Sequence, residues 1–325
     1  MRSAIHATFG KPDHVLELAE SPVPEPGPGE IRVRMGLAAI HNHDLITVAG
    51  LYGHKPALPA IGGSEAMGIV EKLGDGVEGL ALGQRVAASG LSGAWAESFV
   101  ASAASVVPLP DGIDDETAAQ MIAMPLSALV LLDYVGIGED QWLIQNAATG
   151  AVAKVLAMIA ASRGINVVNV VRRNEGVEEL KALGIGNTVS SATPGWQDAV
   201  RAMTSGAPIA AAVDGVGGPS AGELMSLLGE GATLVSFGAM SGKSLEISGG
   251  DLIFKQAVVK GFWLSKIMRT AKPQDISRWM SELVRLVASG AVKLQTGGIY
   301  PLDRIAEAAA ASAAPGRSGK ILLRP

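Results

Sequence analysis

The sequence predicts an α/β protein with two domains, one a barrel-like β domain and the other a doubly wound parallel sheet. A chain of 325 residues exceeds the size of one ordinary hydrophobic core. Up to about residue 118 the sequence is a series of short β-like runs, and from about residue 119 strand and helix patterns alternate. Short strands between turns favour a barrel, whereas alternation favours a parallel sheet covered by helices on both faces.

The β-like runs of the first part are separated by Gly and Pro clusters, such as residues 22–29 (PVPEPGPG). Because Gly and Pro mark turns, each run is predicted to be a separate strand. The predicted strands cover residues 4–8, 30–35, 66–73, 85–88 and 95–100.

The second part begins with an apolar, helix-like stretch over residues 118–135. Right-handed crossovers through helices would join the strands that follow into a doubly wound parallel sheet. Strands are predicted over residues 141–147, 167–171, 188–189, 210–213, 233–237 and 258–264, and helices over residues 152–163, 177–183, 196–203 and 221–228. A helix over residues 273–289 and a β-like segment over residues 320–323 close the chain.

Composition excludes several classes of protein. Hydrophobic residues make up 48% of the chain and charged residues 18%, which supports a large packed core. The net charge is −5, whereas duplex binding needs a basic face, so we expect no nucleic-acid partner. No apolar run reaches the roughly 18–20 residues of a membrane span, so we expect no membrane association. The absence of cysteine, together with a start unlike a signal peptide, predicts a cytoplasmic protein.

Residues 141–154 (QWLIQNAATGAVAK) predict a strand, a turn of small residues and the start of a helix. The N–H groups at such a helix start, together with the helix dipole, attract a pyrophosphate. The dinucleotide fingerprint has three glycines, but here only Gly150 is present, with Ala151 and Ala153 at the later positions. On its own, the motif also fits a plain turn between a strand and a helix.

Arg172 and Arg173 follow the next predicted strand, about 20 residues beyond this turn. At this position an NAD site usually places an acidic residue for the ribose hydroxyls, whereas an NADP site places arginine for the 2′-phosphate. Guanidinium is always charged and binds phosphate bidentately. The pair therefore predicts NADPH as the cofactor, with two solvated arginines as the alternative interpretation.

Four stretches of the sequence resemble the zinc-independent medium-chain dehydrogenases and reductases. They are residues 50–53 (GLYG) with 58–65 (LPAIGGSE), residues 144–148 (IQNAA), residues 169–172 (NVVR), and residues 252–255 (LIFK) with 260–265 (KGFWLS). The resemblance covers essentially the whole chain. It is greater to trans-2-enoyl thioester reductases than to quinone oxidoreductases, and the GFWL run is its most specific part.

This resemblance implies a GroES-like β-barrel domain over residues 1–118 with 266–325, and a Rossmann NADP-binding domain over residues 119–265. It also implies a homodimer in which the cofactor domains pair edge to edge. The chain departs from the family at two Asn-Pro motifs, which read His41-Asn42 and Met124-Pro125 here.

The resemblance assigns the role of proton donor to Tyr52, on its Gly-rich loop. A tyrosine there is also compatible with a plain covering role over a cleft, and Trp263 with a place in a cleft wall or at a dimer edge. The pyrophosphate would lie on residues 149–152 and the 2′-phosphate on residues 172–174. The NADPH-binding residues that the resemblance implies are His41, Thr149, Gly150, Ala151, Val152, Arg172, Arg173, Asn174, Phe237, Gly238, Ala239, Met240, Phe262, Trp263, Leu264 and Lys320.

Two short stretches lie where zinc alcohol dehydrogenases carry metal ligands. The zinc pattern requires Cys and His, but His41 and Ser64 occupy the two positions here. We therefore expect no metal. His43 is interpreted as a surface or supporting histidine, and Asp44 and Glu65 as residues that hold local loops together.

The resulting functional hypothesis is an NADPH-dependent oxidoreductase that reduces the conjugated C=C bond of a 2-enoyl thioester. Hydride would reach the β-carbon, hydrogen-bond donors would stabilise the enolate, and the α-carbon would then be protonated. An NADPH:quinone or enone reductase on the same fold is the first alternative. The second alternative is an NADPH-binding regulatory protein with little turnover. The only partner expected besides a second copy of the chain is a small-molecule substrate.

Overall fold

The computed structural model describes all 325 residues, which divide into two compact units. The first unit consists of Met1–Ala123 and Leu294–Pro325, and the second of Met124–Lys293. None of the helices combines the length and the apolar character that crossing a bilayer requires.

The secondary structure follows the chain in three groups. Up to residue 123 the elements are β1 (Arg2–His6), α1 (Pro12–Val15), β2 (Glu17–Glu20), β3 (Glu30–Ala39), α2 (Asn42–Val48), β4 (Ala60–Ile61), β5 (Glu65–Leu73), β6 (Arg85–Ser89), β7 (Ser98–Ser102), β8 (Val107–Pro108) and α3 (Asp115–Ala118). The middle group is α4 (Ala123–Val135), β9 (Trp142–Gln145), α5 (Ala151–Ser162), β10 (Asn166–Val171), α6 (Glu175–Ala182), β11 (Thr188–Ser190), α7 (Trp196–Met203), β12 (Ile209–Asp214), α8 (Pro219–Leu227), β13 (Leu228–Ser236), α9 (Gly249–Phe254), β14 (Val258–Gly261), α10 (Leu264–Thr270) and α11 (Pro273–Ala288). The chain ends with β15 (Thr296–Pro301), a short 3-10 turn (Leu302–Arg304), α12 (Ile305–Ala313) and β16 (Lys320–Arg324).

The first unit contains a seven-stranded sheet and a three-stranded sheet. The larger sheet has the order β15-β16-β3-β5-β6-β8 with β7 also paired to β3, and the smaller sheet has the order β2-β1-β4. Alternate residues of β3, including Ile31, Val33 and Met35, are buried in the core, as the two-residue period of a strand requires. The last strand, β16, pairs antiparallel with β3, so the end of the chain returns to this unit as predicted.

The second unit contains a six-stranded sheet in the order β11-β10-β9-β12-β13-β14, in which every pair is parallel. This confirms the predicted doubly wound sheet. The fully buried residues Ile144, Val168, Ala212 and Leu234 lie on its four central strands. The strand order reverses between β9 and β12, and ligands of such sheets bind beyond the carboxyl ends of the strands at that point.

The second compact unit extends to Lys293 and therefore includes helix α11. Helix α11 buries Trp279, Leu283, Leu286 and Val287 along one side. Its Trp279 donates a hydrogen bond from Nε1 to Oδ2 of Asp133 at 2.7 Å, within that same unit. The amphipathic pattern of α11 was visible in the sequence, but the surface against which it packs was not.

Two predicted elements have different bounds in the structure. The helix predicted over residues 118–135 begins only at Ala123, since the N–H groups of Ile122 and Ala123 bond to the carboxylate of Glu65. The strand predicted over residues 258–264 ends at Gly261, and Leu264 already belongs to α10.

We expect Asp133→Asn to lower the free energy of unfolding by about 1–3 kcal/mol, because it weakens charged hydrogen bonds at a partly buried site. The Asp133 carboxylate accepts hydrogen bonds from Trp279, Arg163 and Arg278. Chemical denaturation of the two proteins measures the difference. Asp198→Asn is the control, because its pair with Arg201 is exposed and little change is expected there. Equal losses in both variants would contradict the prediction.

Candidate active site

A buried polar network lies at the switch point of the parallel sheet. Nδ2 of Asn146 donates to Oδ1 of Asp214 at 2.6 Å, and Oδ1 of Asn146 accepts from the N–H of Gly215 at 2.8 Å. The Asp214 carboxylate also accepts from the N–H groups of Val216 and Gly217. Since Asp214 is inaccessible to solvent, these donors supply the hydrogen bonds that water cannot, and they hold the turn after β12 in place.

The turns after β12 and β13 approach each other closely. A Cβ atom on Gly238 would lie 2.7 Å from the carbonyl oxygen of Gly215, nearer than side chains approach backbone. The ring of Phe237 lies against Gly215 from the same side. Glycine is therefore required at 238, and the two turns together form one wall at the carboxyl edge of the sheet.

The predicted phosphate-binding turn lies between β9 and α5. Ala147 has a φ of +48°, which non-glycine residues rarely adopt, and Gly150 donates its N–H to the Ala147 carbonyl at 2.7 Å. No side chain accepts a hydrogen bond from the first turn of α5. The first N–H groups of this 12-residue helix are therefore available to an anion.

Arg172, Arg173 and Asn174 directly follow β10 and are exposed. Neither arginine side chain takes part in a hydrogen bond or an ion pair within the protein, whereas Asn174 accepts from Thr193 at 3.4 Å. Exposed guanidinium groups without an acidic partner can bind a phosphate group without first breaking an ion pair.

Tyr134 packs against the end of β14 and the residues that follow it. Nζ of Lys260 lies 4.2 Å from the centre of the Tyr134 ring, and the Phe262 ring lies 5.6 Å from it, edge to face. Phe262 is buried, while Trp263 keeps 40% of its surface exposed and Leu264 begins α10. All the predicted residues of the second unit (149–152, 172–174, 237–240 and 262–264) thus follow strands whose carboxyl ends share one edge of the sheet.

The other three predicted residues, His41, Tyr52 and Lys320, belong to the first unit. His41 immediately precedes α2 and has no solvent exposure. Its Nε2 lies 2.7 Å from Oε2 of Glu65, which is equally buried. The two side chains therefore form a buried hydrogen-bonded pair.

The Glu65 carboxylate has two further donors, the N–H groups of Ile122 at 2.6 Å and of Ala123 at 3.1 Å. Burial raises the pKa of Glu65 to about 7, against the opposing effect of these two N–H groups. Glu65 therefore holds the segment after α3, which agrees with the expectation that it anchors a local loop.

Burial also lowers the pKa of His41 well below its ordinary value, and the charge of Lys320 acts in the same direction. Nδ1 of His41 is buried without a hydrogen-bond partner. A bare acceptor is cheaper to bury than an unpaired N–H donor, which favours the tautomer whose proton lies on Nε2, facing Glu65.

The turn that carries Ser64 and Glu65 lies flat on Trp95. A Cβ atom on either Gly62 or Gly63 would lie 2.3 Å from the Trp95 ring, so only glycine fits at both positions. Trp95 is fully buried, and its Nε1 donates to the carbonyl of Ala39. The Trp95 ring thereby supports the turn that places the Glu65 side chain against His41.

A second chain of hydrogen bonds leads from α2 towards Tyr52. The Asp44 carboxylate accepts from the N–H of His41 at 2.8 Å and from Oγ of Ser64 at 2.6 Å. Nε2 of His43 lies 2.7 Å from the same Oγ, and the His43 ring lies 5.9 Å from the ring of Tyr52. Asp44 therefore organises both ends of the loop, as the sequence suggested.

Comparison with known proteins agrees with this geometry. The model of the alcohol dehydrogenase GroES-like domain matches residues 27–111, and the model described as zinc-binding dehydrogenase matches residues 151–285. The mitochondrial enoyl-[acyl-carrier-protein] reductase of Arabidopsis thaliana is 31% identical over 303 residues, which cover 91% of this chain and 80% of that protein. The chain belongs to the zinc-independent medium-chain dehydrogenases and reductases. The predicted resemblance and the GroES-like domain are confirmed.

Solved structures of medium-chain reductases are similar over the full length. The quinone oxidoreductase of Pseudomonas syringae has a TM-score of 0.90 and 28% identity, with 100% of this chain and 99% of that chain covered. The quinone oxidoreductase of Escherichia coli, solved in complex with NADPH, has a TM-score of 0.90 and 26% identity, with both chains covered completely.

The description of one family model names zinc, but the corresponding side chains are used differently in this medium-chain reductase. His41 is engaged by Glu65, and Ser64 donates to Asp44. At no point do three His, Cys, Asp or Glu side chains come together in a way that could hold a metal ion. The donors that remain are suited to hydrogen bonding and proton transfer.

Sequence reasoning missed three residues on which the site depends, namely Asn146, Asp214 and Trp95. The first two are polar residues at the carboxyl ends of apolar strands, a signal that could have been used. Trp95 gave no such signal, because its role depends on Gly62 and Gly63, which are more than thirty residues away in the sequence.

We expect Glu65→Gln to flatten the pH dependence of stability between about pH 4.5 and pH 7. A carboxyl group whose pKa rises from 4.5 to about 7 on folding stabilises the protein fully below pH 4.5, and this contribution is lost as the pH rises through 7. The loss amounts to about 3 kcal/mol. Unfolding free energies measured at several pH values test this.

The matched control is Glu78→Gln, a substitution of an exposed glutamate in the same unit, which should leave the pH dependence unchanged. Parallel pH profiles for the wild type and Glu65→Gln would show that the Glu65 carboxyl group does not carry the effect.

Proposed function

We propose that this protein is an NADPH-dependent reductase of the conjugated C=C bond of 2-enoyl thioesters. The position of Tyr52 carries the proposal, since its ring lies beside His43 on a loop anchored by Asp44 and Ser64. A hydroxyl group held beside a hydrogen-bonded network suits a reaction that ends in the protonation of carbon. The name of the Arabidopsis relative supports this substrate class.

The second unit fits a dinucleotide that carries a 2′-phosphate. Its turn of small residues before α5 offers backbone N–H groups to a pyrophosphate, and Arg172 and Arg173 offer guanidinium groups to the additional phosphate. The Escherichia coli structure with NADPH supports the same cofactor. When bound, NADPH supplies the hydride for the β-carbon.

The remaining predicted residues divide into three roles. Phe237, Gly238, Ala239 and Met240 form the wall that faces the dinucleotide, and Phe262, Trp263 and Leu264 border the nicotinamide end. Lys320 and His41 remain proposed cofactor-binding residues of the first unit, and residues 1–118 with 266–325 are proposed as the catalytic domain and residues 119–265 as the cofactor domain. Support for these roles comes from the placement of the turns at the carboxyl edge of the sheet.

Tyr52 is proposed to complete the reaction as a general acid. Its Oη–H bond breaks as the C–H bond at the α-carbon forms, and the electron pair of the enolate makes the new bond. The thioester oxygen loses its developing negative charge in the same step.

Quinone reduction is the second candidate, and the names of the Pseudomonas and Escherichia coli proteins favour it. A quinone takes up its proton on oxygen, where exchange with water is fast, so Tyr52 would not be required. The two candidates therefore differ in whether the rate depends on the Tyr52 hydroxyl group.

We also propose that two copies of the chain pair through β14. This strand is at the edge of the sheet, and Val258 and Val259 on it are 50% and 36% exposed. Phe254, just before the strand, is 84% exposed. An unpaired apolar edge is a surface that proteins normally cover. The cytoplasmic location remains a prediction, since the Arabidopsis relative is named as mitochondrial.

We expect the purified protein to oxidise NADPH when crotonyl-thioester is added, and Tyr52→Phe to lower kcat by about 100-fold or more, because general-acid catalysis is worth that factor. NADPH absorbance measures the rate, with a quinone tested in parallel. Tyr300→Phe, at a tyrosine in β15, is the control and should keep full activity. Turnover of the quinone alone, unaffected by Tyr52→Phe, would favour the second candidate. NADPH binding without reduction of either acceptor would instead indicate a regulatory protein with little turnover.

We expect Arg172→Ala and Arg173→Ala each to raise the Kd for NADPH by about 10–100-fold, because each removes charge-assisted hydrogen bonds to the 2′-phosphate. The Kd for NADH should not change. Fluorescence titration with both dinucleotides makes the measurement, and Arg201→Ala is the control at an exposed arginine in the same unit. An equal loss for NADPH and NADH would contradict the assignment of the phosphate site.

A further inference from the structure

His43 is the residue of the Tyr52 loop network whose function remains open. Its side chain is 26% exposed, whereas His41 and Glu65 have no exposure at all. The centre of the His43 ring lies 5.1 Å from that of the stacked His41 ring and 5.9 Å from that of the Tyr52 ring. His43 is therefore near both the buried pair and the proposed proton donor, and it has access to water.

The hydrogen bonds of Ser64 determine which nitrogen of His43 carries a proton. A serine hydroxyl has a single hydrogen, and Oγ of Ser64 donates it to Oδ1 of Asp44 at 2.6 Å. Oγ of Ser64 must then accept from Nε2 of His43, which lies 2.7 Å away. Nε2 of His43 is consequently protonated and held in place, so Nδ1 is the nitrogen that can take up and release a proton.

One carboxylate lies close to the His43 ring. Oδ1 of Asp44 lies 3.4 Å from Nε2 of His43. Both oxygens of the Asp44 carboxylate accept hydrogen bonds, Oδ1 from the Ser64 hydroxyl and Oδ2 from the His41 N–H. The stacked His41 is kept neutral by burial, while Glu65 and Lys320 lie near His41. Thus the nearest full charge to the His43 ring is the negative charge of Asp44.

We propose that His43 returns to Tyr52 the proton that Tyr52 transfers to the α-carbon of the substrate, an inference that rests on the proposed function. After the transfer, Tyr52 is a phenolate. The Nδ1–H bond of the His43 imidazolium breaks, the O–H bond of Tyr52 forms again, and water then protonates Nδ1. The Asp44–Ser64 pair keeps the ring oriented throughout by holding its other nitrogen. His43 thus positions Tyr52 and returns its proton without contacting the substrate.

The test compares the first turnover with later turnovers. His43→Gln keeps an N–H donor near the place of Nε2, so Ser64 remains bonded, but an amide does not carry a proton. With crotonyl-thioester, the first turnover of His43→Gln should proceed at the wild-type rate because Tyr52 begins protonated. Later turnovers should be about 10–100-fold slower, so that NADPH oxidation shows a burst of about one equivalent per site.

Two further measurements distinguish a loss of proton return to Tyr52 from a structural disturbance of the loop. The solvent deuterium isotope effect on kcat should be larger in His43→Gln than in the wild type, because proton return becomes rate-limiting. Added imidazole should restore part of the kcat of His43→Ala, and the Kd for NADPH should not change in either variant. His54→Gln, at an exposed histidine of the same loop, is the matched control and should behave as the wild type.

An equal fall in the burst phase and in the steady state, without rescue by imidazole, would overturn the proposal and leave His43 as a purely structural residue. An unchanged steady-state rate of His43→Gln would also overturn it. If the wild type does not reduce crotonyl-thioester, the proposed function itself fails. This wild-type measurement does not depend on any His43 variant, so the two failures can be told apart.

Discussion

The arrangement of the first unit depends on one carboxylate that water does not reach. An unpaired charge at a site such as Glu65 would cost several kcal/mol, so the fold must surround it with donors. It does so with a histidine, with the two N–H groups at Ile122 and Ala123, and with the charge of Lys320 nearby. These partners come from three different parts of the chain, and the single side chain thereby joins the start of α2, the start of β16 and the segment after α3.

The second unit uses the same device at its own functional edge. Asp214 is inaccessible to solvent and accepts hydrogen bonds from Asn146 and from the backbone of the turn that follows β12. In both units a buried acid holds a loop through several hydrogen bonds, while groups proposed to bind ligands, such as Arg172 and Tyr52, stay at least partly exposed. Preorganised loops reduce the reorganisation that ligand binding and proton transfer would otherwise require.

The limits of sequence prediction in this protein follow from the range of its interactions. The parallel sheet and the turn before α5 could be predicted because residue periodicity and turn chemistry are local. The break between α3 and α4 could not, because it depends on Glu65, 57 residues before Ile122. For the same reason, His43 was interpreted only as a surface or supporting residue, since its orientation is set by Ser64, 21 residues further along the chain. The packing of α11 in the second unit could not be predicted either, because Asp133, the partner of Trp279, is 146 residues away.

The chemistry of the first unit is consistent with a change from metal ligation to proton handling. The positions at which zinc dehydrogenases place Cys and His hold His41 and Ser64, and each donates or shares its proton with an acid of the same loop. Burial lowers the pKa of His41 and raises that of Glu65, so a charged His41 is disfavoured and the Glu65 carboxylate depends on its hydrogen-bond donors. The Asp44 carboxylate accepts a hydrogen bond from Ser64, and Ser64 accepts one from Nε2 of His43, so the acid orients the His43 ring through a single hydroxyl group.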